Sequence, residues 1–201
     1  MTARLSDEAR DLRRKVREAY AGAAEAPAAE HPFPVGRAFA ESLGYTAALL
    51  DRMPKPAVDS FAGVSNISLT AELKPGARVL DLGCGAGLDS LIAAERVGPR
   101  GLVIGIDFGI EMLERARAGA RELAAANAIF CQADAEALPL RGGSIDAALV
   151  NGIFNLNPAR TEIFAELARV MKPGGEVWAA ELILREPLPE EERASAANWF
   201  A

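Results

Sequence analysis

The sequence predicts an α/β fold: a doubly wound, mostly parallel sheet with helices on both faces. Three observations carry that prediction. From Arg78 onward, short runs of Val, Ile, Leu and Ala alternate with segments of helical period. Those runs are apolar at nearly every position, the pattern of strands buried on both faces. A glycine-dense stretch, VLDLGCGAGLDS at residues 79–90, joins the first strand to the helix after it. Ligands of open α/β sheets collect beyond the carboxyl ends of the strands, where that stretch lies.

Taken in order, residues 6–20 place Leu12, Val16 and Tyr20 on one helical face. The next segment, AGAAEAPAAEHPFPVG at residues 21–36, has no periodicity and reads as an irregular arm. Residues 37–52 return to helical spacing before Pro54 and Pro56 interrupt the chain. Residues 1–70 are thus expected to form an N-terminal helical lid segment, and residues 71–201 the ligand-binding core. Strands are expected at RVLDL, GLVIGID, AIFCQ, SIDAALVN and EVWAAELIL, with helices at residues 88–97, 110–126 and 159–171. RVMKPGGEV reads as a helix end, a Pro-Gly-Gly turn and a strand start.

Composition narrows the function. The 201 residues suit one domain with an appended segment. The net charge is -6 and the Lys and Arg residues are scattered among acids, which disfavours nucleic acid as a partner. No apolar run reaches the roughly 18 residues that span a bilayer, and the charged N-terminus lacks a signal-peptide core. A cytoplasmic protein with no membrane partner is expected. Cys84 and Cys131 lie in apolar surroundings and read as reduced core thiols, not a disulfide or a metal site.

The glycine stretch is G-x-G-x-G, through Gly83, Gly85 and Gly87, one residue shorter than a dinucleotide fingerprint. Its flanks are acidic, with Asp81 before the loop and Asp89 in the first turn of the next helix. Two carboxylates repel a pyrophosphate and attract an ammonium or sulfonium, although Asp89 alone reads equally well as a helix cap. Asp107 ends the second strand roughly twenty residues on, the spacing of an acid that takes a ribose diol. Phe108 and Met112 follow and can wall an adenine. Asp134 and Glu136, flanking Ala135, follow the third strand and can accept from an exocyclic amine; Asn151 ends the fourth strand. An amine, a ribose and a base without a phosphate holder describe S-adenosylmethionine, with S-adenosylhomocysteine as product.

At this point the chain resembles the class I S-adenosylmethionine-dependent methyltransferases. The motifs are VLDLGCGAGLDS, VIGIDFGIEMLERAR, ADAEALPL, SIDAALVNGIFNLNP and RVMKPGGEVWAAEL, in order across residues 73–185. Within them it looks most like the arsenite methyltransferase-like branch, through LKPGARVLDLGCGAGLDS, NGIFNLNP, VREAY, LGYTAALL and FAGVSNIS; quinone-biosynthesis C-methyltransferases are neighbours through ADAEALP. The resemblance implies a Rossmann-like sheet and assigns Asp81, Gly83, Gly85 and Gly87 to the methionine part of the cofactor. It assigns Asp107 to the ribose, Phe108 to a place beside the adenine, and Asp134, Ala135 and Glu136 to the adenine edge. It places Asn151 near the sulfonium, and Tyr20 in a helix that folds over the cofactor.

The same resemblance carries departures. Arsenic-methylating relatives hold arsenic on cysteine thiolates, and two of those positions read here as Val64 and Gly152. A soft ion needs several soft donors, so arsenite is not expected as the acceptor. A small molecule is. No catalytic acid or base stands out, and in-line displacement from a sulfonium proceeds largely by positioning and desolvation. The only histidine, His31, reads as a surface residue. The competing expectations are a cofactor-binding relative without turnover and a quinone-type C-methyltransferase. Sheets of this class usually carry seven strands, and strands six and seven have no counterpart in REPLPEEERASAANWFA. An open fifth strand invites pairing, so a homodimer, or an edge covered by a C-terminal helix, is expected.

Overall fold

A computed structural model describes residues 7–183. Five strands form one parallel sheet: β1 (Arg78–Leu82), β2 (Leu102–Asp107), β3 (Ala128–Gln132), β4 (Ile145–Asn151) and β5 (Met171–Ala180). Their order is β3-β2-β1-β4-β5, so chain direction across the sheet reverses between β1 and β4. Such a reversal leaves a crevice at the strand ends. The register there pairs Asp81 with Leu149 and Leu82 with Val150.

Alternation along β1 explains the layers. Val79 joins Leu149 and Val103 in one buried cluster, beneath α6 (Leu88–Val97) and the short helices of the N-terminal segment. Leu80 and Leu82 point the other way, against Ile163, Leu167 and Val170 of α8 (Arg160–Val170). Ala120 of α7 (Ile110–Glu122) packs into the first cluster, beside α6. Helices therefore cover both faces, as the unbroken apolar strands require. Leu149 is 0% exposed, and truncating such a side chain to Ala costs about 2–5 kcal/mol.

The N-terminal half differs from the sequence expectation in two places. The first helix, α1 (Asp7–Glu25), runs five residues past Tyr20 into the supposed irregular arm, because Ala21–Ala24 are small and Ala23 and Ala24 bury against Ala86 and Met112. Residues 37–52 form two helices instead of one, α2 (Arg37–Ser42) and α3 (Ala47–Leu50). Gly44 at φ 95° breaks the run, and the Thr46 hydroxyl then caps α3 by accepting from the Leu49 N–H at 3.3 Å. Pro54 stands at the N-terminal boundary of α4 (Lys55–Asp59), and α5 (Ile67–Thr70) follows.

Pro173–Gly175, expected as a turn, lie within β5 as an excursion: Ile145 pairs with Met171, but Ala147 pairs with Glu176. β5 is an edge of the described sheet, with Val177 43% exposed. The expected C-terminal helix lies outside the described residues. No helix among the described residues is long and apolar enough to cross a membrane.

Candidate functional site

The crevice at the strand reversal opens into a cavity of about 230 Å³. All eleven residues singled out from sequence line it: Asp81, Gly83, Gly85, Gly87, Asp107, Phe108, Met112, Asp134, Ala135, Glu136 and Asn151. They arrive from the ends of four strands, which only the parallel topology brings together.

The glycine loop forms the floor, with Gly83, Gly85 and Gly87 at φ 76°, 51° and 86°. Gly87 and Gly85 differ in what a side chain would meet. A Cβ on Gly87 would sit 2.9 Å from Ala116 Cβ and 3.2 Å from the Phe130 ring, so the loop could not pack on α7 and β3 with any side chain present. A Cβ on Gly85 would meet nothing within 4 Å. There the absent side chain leaves a space on the cavity wall that a ligand can occupy.

Acids surround that floor. Asp81, 2% exposed, accepts from the Ser90 hydroxyl at 2.5 Å. Burial pushes its carboxyl well above the usual carboxylate range, and the neighbouring Asp89 adds to the rise. Asp89 does not cap α6, whose N-cap is Gly87. It accepts instead from the Tyr45 hydroxyl at 2.5 Å, from the Ser68 hydroxyl and from the Asn151 amide at 2.9 Å. Burial raises Asp89 too, against the pull of those donors. Asp107 is half-buried and holds the backbone N–H of Gly85 at 2.9 Å and of Gly109 at 2.8 Å; burial raises it, and these bonds oppose the rise.

Asn151 lines the cavity, but its amide is committed elsewhere. Its oxygen accepts from the N–H groups of Val64 and Ser65, at 2.9 and 3.1 Å, and its NH₂ donates to Ser65 O and to Asp89. Both acceptor sites and both donors are thereby used. The residue expected beside the sulfonium is a clamp on the segment at 63–65.

α1 crosses the mouth. Arg13 pairs with Glu136 and lies 3.4 Å from Asn157, whose own amide donates to Glu136 at 3.3 Å. The Arg17 guanidinium sits 5.5 Å from the Phe108 ring centroid, a cation–π contact. Tyr20 stacks on Phe33 at 4.6 Å, and burial pushes its hydroxyl pKa upward, with Asp107 and Glu181 adding to the effect. Such a hydroxyl donates hydrogen bonds and does not serve as a base. Cys84 is a buried free thiol that burial, Asp107 and Asp81 push further from ionising, which makes it inert.

Sequence reasoning missed Arg13, Arg17, Ser68 and Asn157. The two arginines lie four apart, beside Val16 and Tyr20 on the helix face already read as buried, a signal that was available. Ser68 offered none.

The chemistry of this wall fits a cationic adenosyl donor. Asp81, Asp89 and Asp107 are acids around a loop without a Lys or Arg, and the one open glycine position lies among them. A methyltransferase domain model matches residues 73–200. The chain belongs to the methyltransferase domain family. It is 36% identical to an arsenite methyltransferase of Halobacterium salinarum, over 75% of this chain and 38% of that protein. It is 42% identical to a demethylmenaquinone methyltransferase of Lactococcus lactis, over 53% of this chain and 42% of that protein. The solved arsenic(III) S-adenosylmethionine methyltransferase of Chlamydomonas reinhardtii superposes with a TM-score of 0.60 at 29% identity, over 80% of this chain and 54% of that one. The chain thus spans about four tenths of the length of these curated relatives. Fold and family place it among the class I S-adenosylmethionine-dependent methyltransferases, whose cofactor is S-adenosylmethionine.

Proposed function

We propose that this methyltransferase acts in the cytoplasm on a small-molecule acceptor other than arsenite, with residues 71–201 as the cofactor core and residues 1–70 as its lid. The supporting observation is the convergence of acids and open glycine on one cavity beneath α1. When bound, S-adenosylmethionine supplies an electrophilic methyl group on a sulfonium. The chain's own residues then hold and shield. Asp81 takes the ammonium, Asp107 the ribose hydroxyls, and Phe108 with Met112 the adenine, while Asp134 and Glu136 face the adenine edge. Tyr20 and α1 exclude water, which strengthens each of these contacts.

Two features support a non-arsenite acceptor. A Cβ on Gly152 would lie 3.1 Å from Val64 Cγ1, so the positions that the resemblance gives to thiolates adjoin one another here and hold no sulfur. Cys84 lies in the glycine loop and Cys131 on β3, and burial keeps the Cys84 thiol from ionising. Phe61, Ala62, Ile153 and Leu156 line the same cavity and present an apolar wall. That wall and the demethylmenaquinone relative favour a second reading, carbon methylation of a quinone-type ring.

Calorimetric titration with S-adenosylmethionine tests the cofactor site. Product formation against arsenite, quinones and a metabolite panel tests the acceptor. Tight stoichiometric arsenite binding would overturn the first reading, and binding without product from any acceptor would make the chain a binder without turnover.

A further inference from the structure

Two buried carboxylates share one cavity wall but have unequal partners. Asp89 is held by three side chains from three elements: Tyr45 before α3, Ser68 in α5 and Asn151 at the end of β4. Asp81 is held by Ser90. Donors stabilise the charged form of an acid, and two close carboxylates in a dry site do not both ionise. The other titratable groups acting on Asp81 and its surroundings are Asp107 on β2, Cys84 in the glycine loop and Tyr45. All are acids; the cations nearby are Arg117 on α7, which acts at Cys84, Arg96 on α6, which donates to the Ser68 carbonyl oxygen, and Arg13 and Arg17 of α1 on the cavity wall.

We propose that Asp89 is a positioning residue that keeps the charge of the pair on itself and the proton on Asp81 until a cationic ligand arrives. This rests on the reading that the cavity takes S-adenosylmethionine. On binding, the ligand ammonium meets Asp81, the Asp81 proton leaves to solvent, and the pair becomes doubly ionised against the ligand cation. A neutral ligand has no such exchange to offer. The network therefore selects for a positive ligand, because only a cation on the wall lets the second carboxylate ionise beside the first. It also links selection to the acceptor side, because the Asn151 amide that donates to Asp89 is the one that clamps Val64 and Ser65.

Support comes from burial, which raises both acids, and from the direction of the hydrogen bonds, which lower Asp89 through three side chains and Asp81 through Ser90. The assay is calorimetry in buffers of different ionisation enthalpy at about pH 6, where the ligand α-amino group is fully protonated. The wild-type protein should release about one proton per S-adenosylmethionine bound, and methylthioadenosine, which lacks the amino acid, should release none. In Asp89→Asn the release should fall towards zero and the affinity–pH profile should shift to lower pH. Tyr45→Phe removes a donor from Asp89 and so moves the proton of the pair towards Asp89, leaving Asp81 ionised before the ligand arrives; the release should fall here too, and this variant carries the test if Asp89→Asn does not fold. Proton release unchanged in a folded variant, equal release with methylthioadenosine, or wild-type binding of S-adenosylmethionine without release each overturns the proposal. Failure of the wild-type protein to bind S-adenosylmethionine at any pH overturns the donor reading itself.

Discussion

Gly85 and Gly87 are two residues apart and should fail in opposite ways when replaced by alanine. Both have positive φ, 51° and 86°, and an L-residue in the left-handed region costs about 1–2 kcal/mol. For Gly85→Ala that is the whole structural cost, because the added Cβ meets nothing within 4 Å. Gly87→Ala also drives a methyl to 2.9 Å from Ala116 and 3.2 Å from Phe130, and overpacking of that kind adds about 1–3 kcal/mol. The sum for Gly87→Ala is about 2–5 kcal/mol. Each kcal/mol lowers the melting temperature by about 2–4 °C at this size. Gly85→Ala should therefore melt about 2–8 °C below the wild type, and Gly87→Ala further down. Binding should rank the other way among folded molecules. The Gly85 methyl takes up ligand space, so S-adenosylmethionine affinity should drop about tenfold or more, a loss of at least ~1.4 kcal/mol. Gly87→Ala, measured where it is still folded, should lose less affinity. Differential scanning calorimetry and titration of both variants decide it. If Gly85→Ala binds as the wild type does while Gly87→Ala melts normally, the account of the loop is wrong.

Other expectations follow from the site. Arg13→Ala removes the ion pair to Glu136, so hydrogen exchange across residues 10–20 should rise and S-adenosylmethionine should dissociate faster; unchanged exchange would show that the pair does not hold α1. Asn151→Ala strands the Val64 and Ser65 amides, which should cost about 1–3 kcal/mol and raise exchange at those two amides above the rest of the segment. Asp81, Asp89 and Asp107 are all raised by burial. Their stabilising contribution is full below the unfolded carboxylate value of about 3.9 and disappears as pH climbs through the folded values. Asp146 and Glu166 are lowered, so their contribution is lost only on going below that range. Between about pH 5 and 8 the ligand-free protein should lose stability with rising pH, and Asp81→Asn should flatten the slope in urea titrations.

The core was legible because its signals are local. β1, β3 and α6 fall on the residues the apolar runs and glycine punctuation indicate, and the acids at the strand ends needed only the parallel topology to converge. What was hidden depended on long-range packing. The single helix expected at residues 37–52 divides at Gly44, where tertiary contacts of Tyr45 and Leu50 outweigh helical periodicity. Asp89 read equally well as a cap and as a ligand acid because capping is judged from neighbours in sequence, whereas its donors lie 21, 44 and 62 residues away. Asn151 lines the cavity, yet its amide commitments to Val64, Ser65 and Asp89 leave no trace in the spacing of motifs.

The strand order has a kinetic consequence. β1 sits between β2 and β4, yet Val79 pairs with Val103 on one side and with Ala147 on the other. Closing a longer chain segment costs more entropy and proceeds more slowly, so the β1–β2–β3 half, with α6 and α7, should assemble ahead of β4. The glycine loop would then form before Asn151, Gly152 and Ile153 arrive to wall it in. A half-assembled molecule would have a cradle with one side missing, and a ligand would recognise only chains in which the last neighbour of β1 has docked.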